Sequence, residues 1–220
     1  MSTSAPLILA FDTSAAHCAA ALLSGDHVLA AAHEDMAKGQ AERLMGLIAE
    51  VMAAAGADLT QLDAIGVGIG PGNFTGIRIS VAAARGLALA LGIRAVGVSR
   101  LEALAGDTPR PLLATIDARR GHVYLQRFGL GLDRGPALVA QSDCSDWTAP
   151  DLRVCGDCAD AIATQLGAAI EMAPANPAPA IARIAARRFR DPGLPRPAPL
   201  YLRSPDAAPA RESGPVMLPR

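Results

Sequence analysis

The chain has 220 residues, room for one large or two modest domains at roughly 100 to 200 residues each, so a core can form without a disulfide or metal staple. Hydrophobic residues make up 51% and the 17 prolines follow no period, which excludes a disordered chain and a collagen-like one. Twenty basic residues against 21 acidic ones exclude a chain-wide electrostatic grip on nucleic acid and leave room only for a local patch.

In chain order, Leu7 to Asp12 is a short apolar run ending in an acid, and His17 to Leu23 and His27 to His33 follow as two further strands. Ser24-Gly25-Asp26 joins them at hairpin length. From Gln40 to Ala54 the apolar Leu44, Leu47, Ile48, Val51 and Met52 recur at helical spacing, and Gly56 stops the helix. Leu62 to Ile69 reads as a strand entering a Gly-rich turn, with a small-residue helix over Thr75 to Leu91 beyond it. Ile93 to Val98 is the next strand, and Ser99 is placed to cap a helix from Arg100. The polar, Pro-containing interval Gly106 to Pro111 marks a boundary. Leu112 to Ile116 then leads into Asp117, as Leu7 onward led into Asp12, a weak internal echo that suits two α/β lobes or a single mixed sheet. His122 to Phe128 is a strand followed by a turn region, and Asp160 to Ala169 and Ala178 to Phe189 read as helices separated by prolines.

The sharpest local feature is Gly68-Ile69-Gly70-Pro71-Gly72-Asn73-Phe74-Thr75-Gly76-Ile77-Arg78. Its glycines permit close backbone approach, and the helix start that follows offers N–H groups to an anion, with Thr75 and Arg78 nearby. A purely structural turn fits equally, because the segment lacks the Lys-Ser/Thr ending of a P-loop and the order of a dinucleotide fingerprint. Asp12 and Asp117 are placed to position a metal-bound phosphate or to be satisfied internally, Asp117 by Arg119 and Arg120. The arginines Arg183, Arg187, Arg188 and Arg190 are either a solvated helix face or a phosphate contact. Cys155 and Cys158 have coincidental CxxC spacing, with no second pair or metal-spaced His to complete a zinc set. The four cysteines and the lack of a secretory leader fit a reduced, cytoplasmic chain, and charge, Gly or Pro interrupts each Ala-rich stretch, so no membrane insertion is expected.

Leu9-Ala10-Phe11-Asp12-Thr13-Ser14, Gln40 to Met45, Gly70 to Arg78, Ile116 to Tyr124 and Tyr201-Leu202-Arg203 together resemble the TsaB family, bacterial partner proteins in tRNA threonylcarbamoyladenosine biosynthesis. The resemblance covers about residues 7 to 203 and implies an α/β, two-lobed actin-like and sugar-kinase-like fold with mixed sheets and a reduced nucleotide cleft. It implies a first lobe over 1–105 that carries the dimerisation surface, a second lobe over 106–203 with a terminal return to the first, and a flexible tail over 204–220. Such proteins are regarded as noncatalytic partners of TsaD, which holds the metal and transfers the threonylcarbamoyl group to adenosine 37. The chain has no HxxxH pair of the kind that supplies metal ligands there; His17, His27, His33 and His122 are read as structural.

The expectation is therefore no catalytic residue, no metal ligand and no cofactor of the chain's own, with ATP and metal held elsewhere in the complex. Asp12, Gly70, Gly72, Thr75, Gly76 and Asp117 are the weak cofactor-binding candidates. The implied partners are a TsaD-like catalytic subunit, a TsaE-like ATPase, tRNA through the complex, and a second copy in a homodimer. First-lobe helices carry the contacts, with Leu44, Leu47, Ile48 and Val51 as candidates joined by Ala82, Ala83 and Leu87, unless those side chains face their own sheet. The alternatives from another class are an actin-like ATPase or kinase using Asp12, Asp117 and the Gly70 to Gly76 turn, or a protease acting on the partner.

Overall fold

A computed structural model describes residues 5–129, 131 and 133–203. Strands β1 (Leu7–Asp12), β2 (His17–Ser24), β3 (His27–Asp35), β4 (Ala64–Gly68) and β5 (Arg94–Val98) form one sheet in the order β3-β2-β1-β4-β5. β1 and β2, and β2 and β3, pair antiparallel, whereas β1 and β4, and β4 and β5, pair parallel. The parallel pairs need crossovers, and the helices α1 (Gln40–Ala54) and α2 (Phe74–Leu91) supply them.

The second sheet repeats the plan. β6 (Leu112–Arg119), β7 (His122–Phe128), β8 (Arg134–Ala140), β9 (Arg153–Gly156) and β10 (Ala169–Ile170) lie in the order β8-β7-β6-β9-β10, again with two antiparallel and two parallel pairings. The two sheets are the mixed, two-lobed arrangement that the sequence implied. In the second lobe two single 3-10 turns, Gln141–Asp143 and Ser145–Trp147, stand where the first has α1, and α4 (Ala159–Leu166) stands where it has α2. The short helix α3 (Arg100–Ala105) follows β5 but packs on β6, and α5 (Ala178–Arg188) follows β10 but packs on β1, β2 and β4. Each lobe thus lends its last helix to the contact between them. Arg187 pairs with Asp107 at 2.9 Å and Arg188 with Glu102 at 2.7 Å, so half of the C-terminal arginine cluster ties α5 to α3 and the segment that follows it.

The first core gathers Leu9, Phe11, Ile65 and Val67 from the sheet and Leu44, Leu47, Ile48 and Val51 from α1. All four α1 residues are buried, which corrects their reading as partner contacts: their helical spacing marks the face that α1 turns to its own sheet. On α2, Ala83 and Leu87 are half-buried against the same core and Ala82 is exposed. Strands β8, β9 and β10 were not predicted, and the proposed helix to Ala169 ends at Leu166, where Gly167 takes a left-handed conformation and lets Ala169 join β10. The tail 204–220 lies outside the described residues.

Candidate functional site

The two lobes face each other across an open cleft of about 560 Å³, lined by Ser14, Gly72 and Asn73 from the first and Asp117, Tyr124 and Asp157 from the second. Arg100, at the start of α3, bridges the lobes by reaching both oxygens of Asp157, at 3.3 and 3.2 Å. Of the predicted candidates Gly72 and Asp117 line this cleft, while Asp12, Gly70 and Gly76 are engaged by other residues of the fold.

Asp12 ends β1 and is 1% exposed. Its Oδ1 accepts the Ser14 N–H at 3.0 Å, and its Oδ2 accepts the Ser14 hydroxyl at 2.9 Å and lies 2.8 Å from Nε2 of His17. Burial pushes the Asp12 carboxyl up, and His17 and Ser14 outweigh it, so the group is held below its ordinary value of 3.8. Both oxygens are spent inside the fold. The His17 ring in turn faces that of His33, with centroids 5.1 Å apart.

The Gly-rich turn is shaped around the same segment. A Cβ on Gly72 would stand 2.0 Å from the Ser14 carbonyl oxygen, and one on Gly76 would stand 1.9 Å from the Thr13 carbonyl oxygen. A Cβ on Gly68 would meet Asp12 Oδ1 at 2.0 Å. The glycines therefore admit backbone and an acid of this chain. Hydrogen bonds complete the joint: Asn73 N–H donates to the Ser14 carbonyl at 2.7 Å, and the Thr13 hydroxyl donates to the Gly76 carbonyl at 2.6 Å. At the start of α2, Asn73 Oδ1 accepts from Thr75 N–H at 3.0 Å and Gly76 N–H at 3.2 Å, so the side-chain cap takes two of the N–H groups an anion would use. Gly70 has φ 90° and its carbonyl accepts from Arg100 N–H at 2.7 Å, linking the turn to α3.

Thr75 is exposed and its hydroxyl makes no hydrogen bond among the described residues. Asp117 is exposed in the cleft, with Oδ1 accepting the Arg119 N–H at 2.7 Å. Phe74 and Tyr201 stack at 4.9 Å, Arg78 lies 3.8 Å over the Phe74 ring, and Arg78 Nε donates to the Tyr201 hydroxyl at 3.0 Å. That clasp fixes residues 194–203 as a strap on the first lobe, helped by Leu200 N–H donating to the Ile69 carbonyl. The positive charge next to the turn is thus turned onto the strap. In the second lobe, burial pushes the Cys155 thiol up to about 12 and the Cys158 thiol up to about 11, so neither is a ready thiolate at neutral pH. Among the described residues no group of three His, Cys, Asp or Glu is gathered in a way that would hold a metal ion.

Apart from Ala82, an interface candidate that is exposed, the sequence reading missed the outer surface of the first-lobe helices. Ala41, Met45, Ala49 and Ala53 are exposed on α1 at four-residue spacing, and Ala82, Gly86, Leu89 and Ala90 are exposed on α2, which lies beside it. The signal was present as small residues at i and i+4, but the larger leucines on the other face of α1 drew the prediction.

A family model described as TsaD, tRNA N6-adenosine threonylcarbamoyltransferase, matches residues 32–199. An uncharacterized protein of Mycobacterium tuberculosis is 39% identical over 174 residues, 79% of this chain and 79% of that protein. The tRNA threonylcarbamoyladenosine biosynthesis protein TsaB of Escherichia coli is 37% identical over 126 residues, 55% of this chain and 54% of that protein, so the match spans about half of that relative. Among solved structures, YeaZ from Pseudomonas aeruginosa superimposes with a TM-score of 0.74 at 29% identity, covering 90% of this chain and 100% of that one.

Proposed function

We propose that this chain, which belongs to the TsaB family of TsaD-like domains, is a noncatalytic partner subunit in tRNA N6-threonylcarbamoyladenosine modification at adenosine 37. The observation that carries this reading is the filled turn: Ser14 and Thr13 carbonyls occupy the spaces that Gly72 and Gly76 leave, and Asp12 spends both oxygens on Ser14 and His17. A phosphate cradle needs open N–H groups and a free carboxylate near them, and an ATPase or kinase would need the same. A protease reading would need an activated nucleophile, whereas the buried Ser14 hydroxyl donates to a carboxylate and the thiols of Cys155 and Cys158 are raised.

The subunit acts by association. The exposed stripes of α1 and α2 consist of small and aliphatic residues, which let a second pair of helices approach closely, and a TsaD-like domain offers a related pair. α2 has 18 residues and a mean hydropathy of 1.4, long and apolar enough to cross a bilayer by length and composition alone. In the fold it is the β4–β5 crossover, and we place a protein partner on its outer face in the cytoplasm, with a homodimer on the same stripes when the catalytic subunit is absent. The TsaE-like ATPase and tRNA then join the assembled pair, which keeps ATP turnover and group transfer in the partners.

Light scattering on a mixture of this chain and a TsaD-like subunit tests the association. The expected result is a 1:1 complex that an Ala49→Glu/Ala82→Glu variant loses while keeping its circular dichroism and melting temperature. A mixture that stays as separate species, or a variant that binds as before, contradicts the reading.

A further inference from the structure

We propose that a groove at the C-terminal end of α2 docks an acidic polypeptide segment of a partner protein, one that carries an aliphatic anchor residue between carboxylates. The groove holds about 590 Å³ between α2, the start of β5 and the strap residues 194–197. Its floor is apolar, with Ala88 and Ile93 on one side and Leu194 on the other. Leu89 stands 85% exposed beside it, an unusual expense for a leucine on a helix of an isolated domain.

The rim has one sign of charge. Arg85, Arg94 and Arg196 line the groove, and no acidic side chain does. Arg85 and Arg196 make no ion pair or hydrogen bond among the described residues, and Arg94 donates only to the Asp191 backbone carbonyl. Several arginines elsewhere are matched with carboxylates, Arg43 with Glu34 and Glu50, Arg153 with Glu171, Arg187 with Asp107 and Arg188 with Glu102, and none of the three groove arginines is so matched among the described residues. Three guanidiniums left around one apolar floor repel each other and raise the local potential, and carboxylates relieve that with the two-oxygen geometry a guanidinium fits. The floor selects further: an aliphatic side chain gains from it about 25 cal/mol per Å² of apolar area buried, and a bare phosphate backbone gains nothing there. The groove lies about 16 Å along α2 from the Phe74 clasp, by the helical rise over the eleven residues from Arg78 to Leu89, so a docked segment leaves the clasp that anchors the strap in place.

The test is an NMR titration of the isotopically labelled full chain with a blocked hexapeptide holding two central leucines between two acidic residues on each side. The expected shifts gather on the backbone amides of Gly86, Leu89, Gly92 and Ile93. Affinity drops at least tenfold in an Arg85→Glu/Arg196→Glu variant, and less in the Arg85→Gln/Arg196→Gln variant that serves as the folding control. Three results overturn the proposal: no shifts in the groove, equal binding of a hexapeptide with lysines in place of the acids, or stronger shifts there from a short oligoribonucleotide. Gly86 and Leu89 also lie on the α2 stripe, so the two readings are told apart by the charge reversal at Arg85 and Arg196, which should weaken peptide binding at least tenfold while the 1:1 complex with a TsaD-like subunit persists.

Discussion

In the first lobe the glycine that ends β4 abuts Asp12, and in the second the glycine that ends β9 pairs with Thr115, two residues before Asp117. The two acids that echo each other in the sequence therefore do not occupy matching places in the two sheets. Asp12 is buried and satisfied by Ser14 and His17, whereas Asp117 projects into the cleft and meets the backbone of Arg119. The crossovers differ as well, with α1 and α2 covering the first sheet on one face and only 3-10 turns and α4 doing so in the second. One strand plan has thus been put to two uses: the first lobe locks its turn and presents helices, and the second keeps an open polar wall.

The sharpest way to break that comparison is to add a methyl group at one tightly packed glycine in each lobe. Gly76→Ala forces a Cβ to within 1.9 Å of the Thr13 carbonyl oxygen, and Gly156→Ala forces one to within 2.0 Å of the Thr115 carbonyl oxygen at φ 102°. Each is expected to cost more than about 3 kcal/mol and to lower the melting temperature by about 6 to 12 °C. A shift confined to Gly156→Ala would mean that the first-lobe turn yields and is open to a ligand after all.

The acids come next. Asp12→Asn is expected to cost about 2 to 3 kcal/mol, because it removes the charge from buried hydrogen bonds, and Asp117→Asn stays within about 0.5 kcal/mol. The pH dependence separates them further. Asp12 has a folded-state pKa below its ordinary 3.8, so its stabilising contribution is complete above 3.8 and is lost as pH falls through the lower folded value. Denaturant midpoints measured from pH 6 down to pH 2 should therefore fall less steeply below pH 4 in Asp12→Asn than in the native chain, with no such change in Asp117→Asn.

Most of the fold could be read from the sequence because the first lobe advertises itself. Periodic leucines mark α1 and Ser99 marks the start of α3, where the structure adds Glu102 to form a capping box, as it adds Asn73 as the cap of α2. The second lobe was less legible, since β9 and β10 have four and two residues and β8 carries a proline and three exposed positions at its start. Candidate-site residues were found by type and spacing, but their role depends on what fills the space beside each glycine, and only the fold brings Thr13 and Ser14 there. For Leu44, Leu47, Ile48 and Val51 a periodic pattern marked a real face, though it could not say that the sheet of the same chain lies against it.

Smaller effects sharpen the contrast. Tyr201→Ala removes the stack on Phe74 and the Arg78 hydrogen bond, and is expected to cost about 1 kcal/mol and to expose the strap to limited proteolysis. Arg100→Ala breaks the bridge between the lobes at a cost under about 1 kcal/mol, since Asp157 is partly exposed, and hydrogen exchange should rise around the cleft while both sheets stay protected.

The most direct measurement is a reconstitution with purified TsaD-like and TsaE-like subunits, threonylcarbamoyl-AMP, ATP and tRNA, with and without this chain. Repeated turnover of modified tRNA should require the chain and should survive Asp117→Asn in it. Multiple-turnover modification that proceeds equally well without the chain would contradict the account.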